Sequence, residues 1–122
     1  MAKTILIVDD SASIRQVVGI ALRGAGFDVL EAVDGVDGLK KCDGQKIHLI
    51  ISDVNMPNMD GITFVTELKK IAAYKFTPVI MLTTEGSDEK KAAGKAAGAK
   101  AWVVKPFRAE QMLDAVNKLI LP

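Results

Sequence analysis

Thr4-Ile5-Leu6-Ile7-Val8-Asp9-Asp10-Ser11 decides the fold of this chain. Four aliphatic residues, Ile5 to Val8, stand side by side with no polar residue alternating among them. A strand of that kind is buried on both faces, the condition of a parallel sheet covered by helices above and below. The run stops at two acids and a serine, residue types that favour a helix start. Working outward from this first strand, Thr4 to Val8, further strands are predicted at Asp28 to Ala32, Ile47 to Ser52, Pro78 to Leu82 and Ala101 to Val104. Between them Ile14, Val17, Val18, Ala21 and Leu22 form one apolar stripe at helical spacing, and Met112, Ala115, Val116 and Leu119 form another. Both stripes are expected to face the core. Glycines and Asp-Gly pairs punctuate the connections, while Gly94 falls inside the predicted fourth helix at a cost of about 1 kcal/mol relative to alanine.

Strict alternation of strands and helices admits few right-handed topologies. The expected fold is α/β, a doubly wound five-stranded parallel sheet of flavodoxin-like order 2-1-3-4-5 with helices on both faces, forming one domain over residues 1–122. Of the 122 residues, 49% are apolar, and 16 Lys and Arg nearly balance 15 Asp and Glu, which argues against a basic nucleic-acid module. The longest apolar runs fall far short of the ~20 residues that span a bilayer, and Lys3 and Thr4 lead directly into a strand rather than a signal peptide. Cys42 is the only cysteine, which excludes an intramolecular disulfide and a thiolate metal cluster. A cytoplasmic monomer without nucleic-acid or membrane partners is expected.

Ligands of such sheets bind beyond the carboxyl ends of the strands, at the switch point between strands one and three. There strand one supplies Asp9 and Asp10, strand three Asp53, strand four Thr83 and Thr84, and strand five Lys105 followed by Pro106; strand two supplies nothing comparable. Three carboxylates brought together need a cation or a raised pKa, and an all-oxygen set of high charge points to Mg²⁺. The plain alternative is helix capping, with Asp9, Asp10 and Ser11 on the first helix and Asp53 on the third. The full set suits phosphoryl transfer: Asp53 as nucleophile, with Mg²⁺, Lys105 and the Thr83 hydroxyl sharing the phosphoryl oxygens.

Four motifs in order, Ile5-Leu6-Ile7-Val8-Asp9-Asp10, Asp53-Val54-Asn55-Met56-Pro57-Asn58-Met59-Asp60-Gly61, Met81-Leu82-Thr83-Thr84 and Val103-Val104-Lys105-Pro106-Phe107, resemble the receiver domain of bacterial response regulators across essentially the whole chain. With no output segment attached, the chain is similar to the stand-alone, CheY-type chemotaxis regulators of that family. The resemblance implies that Asp53 accepts a phosphoryl group from a CheA-like histidine kinase. It places Asp10, Asp53 and the Asn55 carbonyl on Mg²⁺, with Asp9 assisting, and Thr83 and Lys105 on the phosphoryl group. A cis peptide between Lys105 and Pro106 is implied as well. The switch surface would be helix four, strand five and helix five, read by a flagellar motor switch protein or a phosphatase. A phosphate sink and a non-motility pathway stay open as alternative outputs.

The family's switching aromatic corresponds to Trp102, where Tyr or Phe is usual. The bulkier ring either swings inward or stays as a fixed contact surface. Lys90, Lys91, Lys95 and Lys100, with Glu85 before them, make that face basic, either as a solvated helix or as a dock for an acidic partner. His48, Cys42, Met56 and Met59 are expected to be structural, and Arg108 and Glu110 to begin helix five. A rival of a different class, an Mg²⁺-dependent aspartyl-phosphate hydrolase of haloacid-dehalogenase type, needs Asp-x-Asp after its first strand and a cap insertion; here Asp9 and Asp10 are adjacent and no insertion is visible. A flavin-binding module needs a Ser/Thr/Gly-rich loop where the two acids stand. The expectation is therefore a phosphoacceptor switch rather than a turnover enzyme.

Overall fold

A computed structural model describes residues 2–84 and 88–121. Five strands, β1 (Thr4–Val8), β2 (Asp28–Ala32), β3 (Leu49–Asp53), β4 (Val79–Thr83) and β5 (Ala101–Val104), form one parallel sheet in the order β2-β1-β3-β4-β5. Five helices alternate with them: α1 (Ala12–Gly24), α2 (Gly35–Lys41), α3 (Gly61–Leu68), α4 (Asp88–Ala97) and α5 (Ala109–Leu119). A single 3-10 turn, Ala72–Tyr74, precedes β4. Among the described residues no helix is long and apolar enough to cross a membrane.

The uninterrupted aliphatic runs have their expected consequence. Side chains alternate across the pleat, so Leu6, Val8, Ile50 and Met81 enter one core with Phe64, Val65 and Leu68 of α3. Ile5, Ile7, Leu49, Ile51, Ile80 and Leu82 enter a second core with Val18 and Leu22 of α1 and Met112 and Val116 of α5. Each fully buried aliphatic side chain contributes about 1.5 to 3 kcal/mol of transfer free energy.

Three expectations need correction. β3 and β4 each start later and end one residue further on than predicted, because Asp53 pairs with Leu82 and Thr83 with Val104 in the ladder. Val17 is 58% exposed rather than part of the core stripe, since it lies about 100° round the helix from buried Val18. The capping alternative holds for Ser11, whose Oγ accepts from the Ile14 N–H on α1, but not for Asp53: Asp60 caps α3 by accepting from the Thr63 N–H, and Asp9 accepts from the Ser11 N–H instead. Arg108 is the N-cap residue of α5, with Glu110 in its first turn, as expected.

His48 and Cys42 take structural places. Burial, with Asp43 beside it, pushes the Cys42 thiol up to about 11, so it stays a neutral packing group. His48 precedes β3; its Nδ1 accepts from the Thr4 N–H at 3.0 Å, and its own N–H donates to the Thr4 carbonyl at 2.8 Å. Burial first, then Lys46 and Lys3, lower its pKa from 6.5. A lowered histidine value favours the neutral folded form, so its contribution is full above pH 6.5 and lost as pH falls through the folded value. The melting temperature of the wild type is expected to fall more steeply than that of His48→Gln between neutral and acid pH, the gap reaching about 3 °C for a bond worth about 1 kcal/mol. Parallel melting curves across that range would remove His48 as the titrating group.

Candidate functional site

The carboxyl edge of the sheet brings together the residues its strand ends were expected to deliver. β1 ends at Val8 and releases Asp9 and Asp10, β3 ends on Asp53, β4 ends on Thr83, and β5 leads into Lys105. Asp9 is 1% exposed, Asp53 7% and Thr83 0%, while Asp10 is exposed. Carboxylate oxygens of Asp9, Asp10 and Asp53 lie within 4.8 Å of one another.

Each buried acid has a fixed inner oxygen and a shared outer one. Asp9 Oδ1 accepts from the Ser11 N–H at 2.9 Å, and Asp53 Oδ1 accepts from the Val54 N–H at 2.8 Å. Both Oδ2 atoms face Lys105, whose Nζ stands 3.2 Å from Asp9 and 3.5 Å from Asp53. The Lys105 to Pro106 peptide is cis, as the resemblance implied. Ser52 Oγ donates to the Asp53 carbonyl at 2.9 Å and steadies the same residue from the strand side.

Arg15 has no signal in the sequence, and Gly61 enters it only as the last residue of a motif. Arg15, six residues beyond Asp9 on α1, donates from its guanidinium to the Asp9 carbonyl at 2.7 Å and pairs with Glu31 at 3.3 Å. Gly61, at the start of α3, packs so closely that a Cβ there would stand 2.0 Å from the Asp53 carbonyl oxygen. Asn55 is exposed on the β3–α3 loop, two residues beyond Asp53.

Lys105 offsets the acid cluster only in part. Burial first, then the Asp9 carboxylate, raise the Asp53 pKa above its ordinary 3.8, and Lys105 acts in the opposite direction. A raised carboxyl value means that the folded state favours the proton: no penalty exists below 3.8, and it develops as pH rises through 3.8 toward the folded value. In EDTA at neutral pH, Asp53→Asn is expected to raise the melting temperature by about 3 °C or more, a gain that vanishes in acid below 3.8. An unchanged or lower melting temperature at neutral pH would contradict the repulsion.

The remaining sequence candidates lie beside this edge rather than in it. Trp102 on β5 is half-buried and packs against the core beneath α3 and α4. Its ring explains Gly94: a Cβ on that helix-interior glycine would meet the Trp102 six-membered ring at 2.7 Å. Lys91 and Lys95 are exposed on α4 and, with Ala99, Lys100, Ala101 and Trp102, line a cavity of about 190 Å³. Lys90 belongs to α4 too. Glu85 lies outside the described residues.

Comparison with known proteins agrees with this geometry. The family described as response regulator receiver domain matches residues 5–117. Chemotaxis protein CheY of Bacillus subtilis is 39% identical over 121 residues, covering 98% of this chain and 99% of that protein. Protein PilG of Pseudomonas aeruginosa is 36% identical over 113 residues, covering 93% and 84% respectively. The crystal structure of chemotaxis protein CheY4 of Vibrio cholerae superposes with a TM-score of 0.94 at 48% identity, covering 98% of this chain and 99% of that one. With three clustered carboxylates, a bridging lysine and a buried threonine on the expected strand ends of the expected fold, the chain belongs to the response regulator receiver domain family and is of its CheY type.

Proposed function

We propose that this single domain, residues 1–122, is a phosphoacceptor switch of a chemotaxis-type two-component pathway, working in the cytoplasm. One observation carries the reading: Lys105 reaches both Asp9 and Asp53 in a cluster whose three carboxylates lie within 4.8 Å. Asp53 Oδ2 is the attacking atom. It forms a bond to phosphorus as the phosphorus–nitrogen bond of a kinase phosphohistidine breaks, and the departing imidazole nitrogen keeps the electron pair and takes a proton. Lys105, already held at the oxygen that reacts, meets the incoming phosphoryl oxygens, and the Thr83 hydroxyl takes another.

The donor set fits a hard cation. Asp9, Asp10 and Asp53 with the Asn55 carbonyl offer only oxygen, at high charge and in a partly buried place, as Mg²⁺ requires. When bound, Mg²⁺ neutralises charge on the transferring group. The chain's own part is to hold Asp53 aimed, through the Val54 N–H and the Ser52 hydroxyl, and to keep Lys105 at hand. The chain modifies itself once per signal and turns over no separate substrate.

Output then passes through α4, β5 and α5. Trp102, seated on Gly94, joins β5 to α4, and Lys91 and Lys95 give the outer surface a basic character suited to an acidic partner segment. A CheA-like histidine kinase upstream and a flagellar motor switch protein or phosphatase downstream are the partners that the CheY likeness suggests.

The test is intact mass and Trp102 fluorescence after exposure to acetyl phosphate, with Mg²⁺ or with EDTA. One phosphoryl group on the protein, dependent on Mg²⁺ and mapped to Asp53 by borohydride reduction of the acyl phosphate, is expected, with a fluorescence change as the ring's surroundings alter. No labelling in Mg²⁺ would overturn the reading. Repeated release of phosphate from a phosphomonoester would favour the hydrolase instead.

A further inference from the structure

β2 contributes no acid to the cluster, yet Asp34, two residues past its end, is 7% exposed and has both carboxylate oxygens engaged. Oδ1 accepts from the Asp37 N–H at 2.8 Å and caps α2. Oδ2 accepts from Asn58 Nδ2 at 2.7 Å, across a separation of 24 residues, on the far end of the β3–α3 loop. These hydrogen bonds, the Asp37 one first, hold the Asp34 carboxyl below its ordinary value. The group is ionised at neutral pH, with a donor on each oxygen.

Asn58 is itself unusual. Its φ of 67° is the only positive value at a non-glycine residue among the described residues, a conformation that asparagine tolerates better than most. The loop around it is drawn tight, with the Met59 N–H donating to the Pro57 carbonyl at 2.7 Å. At its base the Gly61 N–H donates to the Val54 carbonyl at 2.8 Å. At its outer end the Gly35 N–H donates to the Met59 carbonyl at 3.3 Å, and a Cβ on Gly35 would stand 2.7 Å from Met59 Cγ. The loop that carries Asn55 is therefore closed at the base and pinned at the end, and the one side-chain bond in the pin is Asp34 to Asn58.

We infer that Asp34 and Asn58 are positioning residues for the cation site: by fixing the outer end of the β3–α3 loop, they set the placement of the Asn55 main-chain carbonyl without touching the cation. This rests on the reading that Asp9, Asp10, Asp53 and the Asn55 carbonyl hold Mg²⁺. A carbonyl donor in an exposed loop has no strand to fix it, so its placement depends on the loop's anchors. Outer partners of this kind typically change metal affinity about tenfold or more when removed.

Two variants break the pin from opposite sides while sparing its other duties. Asn58→Gly keeps the positive φ available and deletes the amide; Asp34→Ser keeps an N-cap oxygen for α2 and is too short to reach Asn58. Titration calorimetry with Mg²⁺, run beside thermal melting in EDTA, separates placement from folding. About a tenfold rise in the Mg²⁺ dissociation constant is expected in each variant, with the double variant no worse than the weaker single one. Labelling by acetyl phosphate should need more Mg²⁺ to saturate but reach the wild-type rate once saturated. Lower melting temperatures with unchanged Mg²⁺ affinity would make the pin purely structural and overturn the inference alone. Absence of Mg²⁺ binding by the wild type would overturn the underlying site reading along with it.

Discussion

Lys105→Gln is expected to slow labelling by acetyl phosphate about 100-fold at saturating Mg²⁺, the scale seen when one donor to a developing oxyanion is removed. The ammonium stands 3.5 Å from the Asp53 oxygen assigned to attack and 3.2 Å from Asp9, with only 14% of the side chain exposed. Glutamine keeps a polar end, one bond shorter, but no positive charge. The same change removes the one cation within ion-pair distance of the two buried acids among the described residues, so their mutual repulsion is left to the Ser11 and Val54 N–H groups and solvent. The site is partly open to water, and the expected loss of stability in EDTA is about 2 kcal/mol, or a melting temperature lower by about 5 °C or more. Mg²⁺ should recover most of that loss, because a divalent cation offsets the same carboxylates.

Mg²⁺ affinity and labelling rate should move in opposite senses, which makes the experiment decisive. With the competing ammonium gone, Mg²⁺ should bind the variant more tightly while phosphoryl transfer becomes slower. A purely structural lysine would weaken both together. Labelling of Lys105→Gln at the wild-type rate would remove Lys105 from the phosphoryl site. Lys105→Arg should recover the melting temperature better than the rate, since its planar guanidinium retains charge but not the compact point of an ammonium.

The strand ends were legible because the sheet leaves little choice. Four unbroken aliphatic residues before Asp9, and short, mostly apolar runs leading to Asp53, Thr83 and Lys105, locate where each strand stops to within a residue. Right-handed crossover then leaves few strand orders, and in the flavodoxin-like one residues 96 positions apart, such as Asp9 and Lys105, fall on the same edge of the sheet. What stayed hidden depends on side chains meeting across loops. Nothing local marks Asp34 as the partner of Asn58, or Arg15 as the brace of the Asp9 carbonyl. Trp102 and Gly94 were each visible as oddities, a large ring and a glycine inside a helix. Only the structure shows that one is the reason for the other, the ring occupying the space a Cβ would need. Val17 shows the converse limit: a residue at the margin of an apolar stripe is assigned by a few tens of degrees of helix rotation that the pattern does not resolve.

Gly61→Ala is expected to damage fold and function together, and more severely than an added methyl group suggests. The new Cβ would lie 2.0 Å from the Asp53 carbonyl oxygen, 2.9 Å from its carbonyl carbon and 2.9 Å from Met81 Cε. Met81 can yield; the peptide of Asp53 cannot, because it is the last rung of β3, paired with Leu82. Alanine would favour the helix by about 1 kcal/mol over glycine, and that gain opposes the loss without matching it. A clash with main chain exceeds ordinary overpacking, and the expected net loss is about 3 kcal/mol or more. Relief requires α3 to move off the sheet, which breaks the Gly61 N–H bond to the Val54 carbonyl at 2.8 Å and pulls at the loop next to Asp53. Urea unfolding should show the loss, and any folded fraction should label slowly at Asp53. Gly24→Ala is the matched control: at the end of α1 a Cβ there meets nothing within 4 Å, so the same substitution should be neutral or stabilising by up to about 1 kcal/mol. Equal stability of the two variants would mean that α3 does not pack on the Asp53 peptide, and the aim of the Asp53 side chain would then need another support.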